Sequence, residues 1–216
     1  MNVAGLGGTG RLADDLWLLA HHERSGRPHL QPRALGLGLA GGLLAELVLP
    51  GTIRVWRGLI IPAGAHLPDD NVTHGVLRTM TAERDHLPVR DWLAFLAGTA
   101  ARDVARRLEH AGYLTRARGG LIGRGERWVP VDADGAFAPL VRVKSALSAR
   151  GPVAVQHVVL GGLAAGCGLD HQLTLYLPAG ARERLREAAR ELDPGLRELI
   201  TVTQTAVDGA LLAHRM

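Results

Sequence analysis

The sequence predicts a mainly α fold: a single helical bundle around a central apolar helix, with peripheral β-hairpins. Three observations predict it. Apolar residues recur at helical spacing through most of the chain. Only two short runs carry strand chemistry, each around a glycine-containing turn. No strand–helix alternation points to a parallel sheet. The 216 residues suit one domain, and 47% apolar with 21% charged residues is the balance of a globular protein rather than a disordered one. Aromatics are only 4%, so Leu, Ala and Val must build the core.

The first ten residues are glycine-rich and read as a flexible tail ahead of one domain spanning 11–216. They contain Gly5-Leu-Gly7-Gly-Thr-Gly10, formally a G-x-G-x-x-G. That fingerprint needs a strand leading into a helix N-terminus, and four residues are too few to supply one. No basic start with an apolar run behind it marks a secretory signal, so a cytoplasmic location is expected.

Leu12, Leu16, Leu19 and Ala20 form the first helical stripe, expected to stop near Ser25-Gly26. Asp14 and Asp15 sit in its first turn, where the helix dipole favours anions. His21-His22-Glu23 reads as a solvated helix end, because adjacent side chains diverge and cannot share a metal. A second helix, 32–47, has Pro32 in its first turn and stops at Pro50-Gly51. Its glycines 36, 38, 41 and 42 weaken helicity, so close packing must hold it.

Residues 53–56 and 59–61 flank Arg57-Gly58 as a hairpin. Helices follow over 69–82, 89–97 and 99–111, with Asp69-Asp70 as the N-cap of the first. The last has Val104 and Leu108 inside and Arg102, Arg106, Arg107 and Glu109 outside. Residues 113–115 and 127–131 form the second hairpin, and another helix covers about 136–149. The stretch 151–169 is free of Asp, Glu, Lys and Arg and barely long enough for a bilayer. Gln156, His157, a proline and five glycines make it the buried central helix instead. A short apolar segment at 173–178, a charged surface helix at 182–192 and an amphipathic helix to about 213 complete the chain.

The chemistry-bearing residues point to binding rather than catalysis. The single Cys167 excludes a disulfide framework and a Cys-rich zinc site, and it lies where it simply packs. No nucleophile elbow, P-loop or cysteine with a partner base is present, so no enzyme, cofactor or metal is expected. Of the 25 Lys and Arg, 24 are Arg and Lys144 is the only lysine, a skew that fits a GC-rich bacterial genome. A net charge of +4 and a pI near 10.1 permit an anionic partner without demanding one. Residues 103–115 with the following basic turn and 126–131 have a winged-helix rhythm. Arg102, Arg106, Arg107, Arg116, Arg118 and Arg124 would then meet DNA phosphates. That regulator, and a protein-interaction scaffold, are the alternatives.

Four segments carry a family resemblance. They are Leu12-Ala-Asp-Asp-Leu-Trp-Leu-Leu-Ala, the small-residue helix from Gly38 to Glu46-Leu-Val-Leu-Pro-Gly51, Asp91-Trp-Leu-Ala-Phe-Leu-Ala-Gly, and Val104 to Thr115. In order and spacing they resemble the Golgi phosphoprotein 3 family, over most of residues 11–213. The resemblance implies an all-α fold with peripheral hairpins, binding phosphatidylinositol 4-phosphate or another anionic headgroup at membranes. Protein partners and self-association are also implied. The family's headgroup positions fall on Gln31, Ala40, Gly151 and Ala154, so its tryptophan and arginines are replaced. Arg33, Lys144 and Arg150 are the cations expected to serve instead. Leu173, Leu175, Tyr176 and Leu177 fall where the family places its membrane-inserting hairpin. Together these imply a non-enzymatic, peripheral membrane protein.

Overall fold

The computed structural model describes residues 9–64, 66–83, 87–117, 127–169 and 175–214. Its elements in chain order are α1 (Leu12–Leu19), α2 (Pro32–Val48), β1 (Ile53–Trp56), β2 (Leu59–Pro62), α3 (Asn71–Ala82), α4 (Val89–Ala97), α5 (Ala100–His110), β3 (Leu114–Ala117), β4 (Arg127–Pro130), α6 (Ala133–Ser148), α7 (Val155–Gly166), α8 (Ala181–Arg190) and α9 (Pro194–His214). The mainly α class with two small antiparallel hairpins is as the sequence predicts.

α2 is the axis. It packs against α1, α3, α4, α5, α7, α9 and β1, and nearly all its residues from Ala34 to Leu47 are buried. Its glycines explain how one helix serves so many neighbours. A Cβ at Gly36 would strike the Ala97 carbonyl of α4, and one at Gly38 the Cys167 sulfur after α7. At Gly41 it would lie 2.7 Å from Thr203 of α9, and at Gly42 3.0 Å from the backbone of Ala13 in α1. Helix propensity is given up so that backbones can approach. The apolar stretch 151–169 does form a buried helix, α7, but it packs on one flank of α2. The glycine-spaced helix, not the longest uncharged one, occupies the centre because Gly admits neighbours on every side. No helix among the described residues is long and apolar enough to cross a membrane.

The hairpins sit outside this core. β1 and β2 pair in the register Ile53↔Pro62 to Trp56↔Leu59, and both turn residues, Arg57 and Gly58, have positive φ. That is the twist a two-residue hairpin loop favours. β3 and β4 pair from Leu114↔Pro130 to Ala117↔Arg127. Two carboxylates cap helices as expected of Asx residues: Asp70 accepts from Val72 and Thr73 at the start of α3, and Asp132 from Asp134 and Gly135 at the start of α6. The second cap starts α6 three residues before the sequence estimate. α1 stops at Leu19 rather than near residue 25. Beyond it the chain turns back so that His21 bridges Pro28, with Gly26 at positive φ pressed against the Trp128 carbonyl.

Candidate functional site

Two polar regions are built on α1, and they differ in kind. The first is a buried charge cluster. Arg107 of α5 donates from Nε to Asp14 of α1 at 2.8 Å and from Nη1 and Nη2 to both oxygens of Glu46 in α2 at 2.9 Å. Nη1 also reaches Asp70, the α3 cap, at 3.0 Å. Glu46 accepts in addition from the Ala13 amide at 2.8 Å, and Arg11 binds Asp70 and Asp69 at 2.8 and 3.0 Å. Burial drives the Asp14 and Glu46 carboxyls above their ordinary range, only partly offset by Arg107. Burial pushes Asp70 the same way, but hydrogen bonds from Thr73 and Arg107 outweigh it and hold its carboxyl low. Nearby, Arg142 of α6 donates to Asp15 at 2.6 Å.

This cluster corrects two expectations. Arg107 is not on the outer face of α5: its side chain is 9% exposed. At about 100° per residue it projects close to Ala100 and Val104, so the helical wheel itself marks it as inward. With Arg107 turned inside, the DNA reading loses a phosphate contact. Arg118 and Arg124 lie outside the described residues. Asp14 and Asp15 are not surface dipole partners either; both are buried, because α1 is enclosed on every side and two distant arginines neutralise them.

The second region is a cavity of about 330 Å³ between the end of α1, the 20–31 connection and α6. Its floor is apolar, formed by buried Leu18, Ala136, Leu140 and Leu169. Its rim carries His22, Glu23, His29, Leu175 and Tyr176. Tyr176 meets Phe137 of α6 edge to face at 5.8 Å. His21 also lines it, and it is not part of a solvated helix end: the ring is buried and stacked on Trp17, centroids 3.6 Å apart. Burial pushes its pKa down to about 4, so the imidazole is neutral at ordinary pH. His29 is shifted down as well, by partial burial and by the neighbouring His22.

The residues expected to meet a membrane lie around this cavity unevenly. Leu175 and Tyr176 are 65% and 45% exposed at its rim, whereas Leu177 is half-buried against the core. Leu173 lies outside the described residues. Arg33, Lys144 and Arg150 are all exposed. Arg33 opens α2 just after the connection that bears His29, and Lys144 follows the cavity residue Leu140 by one helical turn. Arg150 lies beyond the end of α6, next to Gly151, whose carbonyl accepts from Arg184. Arg24 and Arg27, exposed on the cavity's own connection, were not singled out by sequence, since nothing in their spacing ties them to residues 175–176. Of the family's headgroup positions, Gln31, Gly151 and Ala154 are exposed, but Ala40 is fully buried, so packing closes that position to an arginine. Cys167 packs as expected, its thiol pushed up to about 12 by burial.

The family model for Golgi phosphoprotein 3 (GPP34) matches residues 12–211, nearly the whole chain. No curated protein matches it. The chain belongs to the Golgi phosphoprotein 3 family.

Proposed function

We propose that this protein binds, without catalysing a reaction, to the surface of membranes containing anionic phospholipid. The observation that carries the reading is the pair Leu175 and Tyr176, exposed side by side at the rim of a cavity whose opposite rim is a cationic connection. Family membership supports it, since members of this family bind phosphoinositide headgroups. Burying an exposed Leu or Tyr side chain in the interface is worth up to about 1.5–3 kcal/mol each. Each Arg or Lys near an anionic surface adds about 1 kcal/mol. Arg24, Arg27, Arg33 and Lys144 are placed to supply that attraction around the cavity, with Arg150 further along. Two apolar side chains alone give weak binding, so both contributions are needed, and salt must weaken the complex.

Co-sedimentation with vesicles tests this. Phosphatidylglycerol-containing vesicles should retain the protein at low salt, and pure phosphatidylcholine vesicles should not. Leu175→Ser with Tyr176→Ser should lower retention several-fold while leaving the melting temperature unchanged, because neither side chain is buried. Equal retention on both vesicle types, or retention indifferent to that double substitution, sinks the proposal.

A further inference from the structure

The cavity beside the apolar loop has one polar atom on its inner side whose chemistry is fixed. Nδ1 of His21 lies 2.7 Å from the Trp17 carbonyl oxygen. A carbonyl only accepts, so Nδ1 carries the proton and donates. The ring is neutral, and stacking on Trp17 at an interplanar angle of 13° holds its orientation. Nε2 is therefore a lone-pair acceptor, on the side of the ring away from the Trp17 bond. The requirement on a ligand is then specific. A carboxylate or phosphate has no hydrogen to give and would set its charge against that lone pair. A wholly apolar molecule would leave the acceptor unpaired in a low-dielectric floor, which costs affinity. A hydroxyl satisfies it.

We infer that this cavity binds a small molecule with an apolar body and a hydroxyl group, an alkyl alcohol or a phenol, whose O–H donates to Nε2 of His21. The volume of about 330 Å³ is at the lower end of the range of about 300–1,000 Å³ usual for small-molecule sites. It corresponds to roughly ten waters at about 30 Å³ each, which suits one ring or a short chain and not a whole lipid. Leu18, Leu140 and Leu169 contact the apolar body, and the Phe137–Tyr176 pair forms an aromatic wall beside it. A ligand hydroxyl reproduces the hydrogen bond of the water it displaces, so entry of the apolar body is a net gain. The site goes beyond the membrane reading and stands without it. The same chemistry reaches it from solution as a free alcohol or from a bilayer beneath Leu175 and Tyr176 as a hydroxyl-bearing amphiphile.

Calorimetric titration of the full chain at pH 7.5 with p-cresol, toluene, 4-methylbenzoate and 4-methylbenzylamine tests it without vesicles. The four probes share a methylated ring and differ in the group offered to His21. p-Cresol should bind about five- to tenfold tighter than toluene, the gain expected of one hydrogen bond to a buried acceptor. It should also outbind the carboxylate and the amine. In His21→Phe, which keeps an aromatic ring against Trp17, the preference of p-cresol over toluene should vanish. Should that variant fail to fold, imidazole 15N shifts in the wild type decide: p-cresol must move the Nε2 signal and toluene must not. Equal binding of p-cresol and toluene, tighter binding of either charged probe, or no binding of any overturns the inference. Adding monoacylglycerol to neutral vesicles distinguishes the sources: retention that rises with it, and falls on adding p-cresol, marks a membrane-borne ligand, while p-cresol binding without that rise marks a soluble one. Loss of binding to anionic vesicles with p-cresol binding intact would sink the membrane proposal alone, and the converse result would sink this one alone.

Discussion

The two polar regions on α1 use similar side chains to opposite ends. Around Arg107, four of the guanidinium's five N–H groups are placed in the contacts with Asp14, Glu46 and Asp70, and helices α1, α2, α3 and α5 all converge on it. That region is closed on itself and has nothing to offer a ligand. Around His21, half of the ring's hydrogen-bonding capacity is spent on Trp17 and the other half faces an open cavity walled by apolar side chains. A satisfied network fixes the packing of helices; an unsatisfied one in a cavity is where a ligand can add free energy. The difference teaches that burial of a charged or titratable group does not by itself mark a functional site. What matters is whether the protein has already completed its partners.

The strongest way to break the comparison is to remove the centre of the closed region. Arg107→Met keeps the apolar stem and leaves Asp14 and Glu46 buried without their counter-ion. Stripping one partner from such a cluster costs about 3–5 kcal/mol. In a chain of this length that lowers the melting temperature on the order of 10 °C. Urea titration measures it directly, and a loss below about 1 kcal/mol would mean the carboxylates simply take up protons and the network is not what orients α5. The equivalent removal at the open region, His21→Phe, should cost far less at pH 7.5, since it deletes one neutral hydrogen bond.

The two regions also respond to acid with opposite signs. His21 has its folded pKa pushed down to about 4 from an ordinary 6.5, so the unfolded chain takes up a proton that the native state refuses. Stability from this group is complete above pH 6.5 and is lost as pH falls toward 4, at about 1.4 kcal/mol per unit and about 3 kcal/mol in all. His29, which faces the same ring, shifts in the same direction and adds to the slope. Asp14 and Glu46 are shifted upward, so their protonation favours the folded state and they gain stability as pH falls through their raised values. Melting curves from pH 7.5 to 4 should therefore fall more steeply in the wild type than in His21→Phe. Parallel curves would show that His21 titrates normally and that the ring is not sealed against Trp17.

How much of this was legible in the sequence follows the same division. The helices and hairpins were readable because apolar period, proline starts and glycine stops act locally: Pro32, Asp70 and Pro194 begin helices where their chemistry allows. The centre of the bundle was misjudged because absence of charge was read as centrality. Glycines 36, 38, 41 and 42, noticed only as a weakness, in fact bring four neighbours to α2. Arg107 was recoverable from its position on the wheel; its partners were not, because Asp14, Glu46 and Asp70 lie 93, 61 and 37 residues away. The cavity was invisible for the same reason. Residues 21–29, 136–140 and 175–176 have no common pattern along the chain, and only the fold brings them to one rim.

The smallest effect tests how completely the closed region is satisfied. One oxygen of Asp14, Oδ2, is buried with no hydrogen-bond partner among the described residues, while Oδ1 accepts from Arg107. Asp14→Asn keeps the accepting oxygen and places an amide where the unpartnered oxygen stood, so one unsatisfied atom replaces another. It also removes one of three negative charges around a single buried guanidinium, and with it the desolvation that drives Asp14 upward. These changes nearly cancel, so the variant should lie within about 1 kcal/mol of the wild type at pH 7.5, as replacement by a neutral group of the same shape allows. Its melting temperature should also gain less from acidification than the wild type, because Asp14 no longer contributes to that slope. A loss comparable with that of Arg107→Met would show that the ionised Asp14 carries the cluster rather than Glu46, whose two oxygens hold the guanidinium side-on.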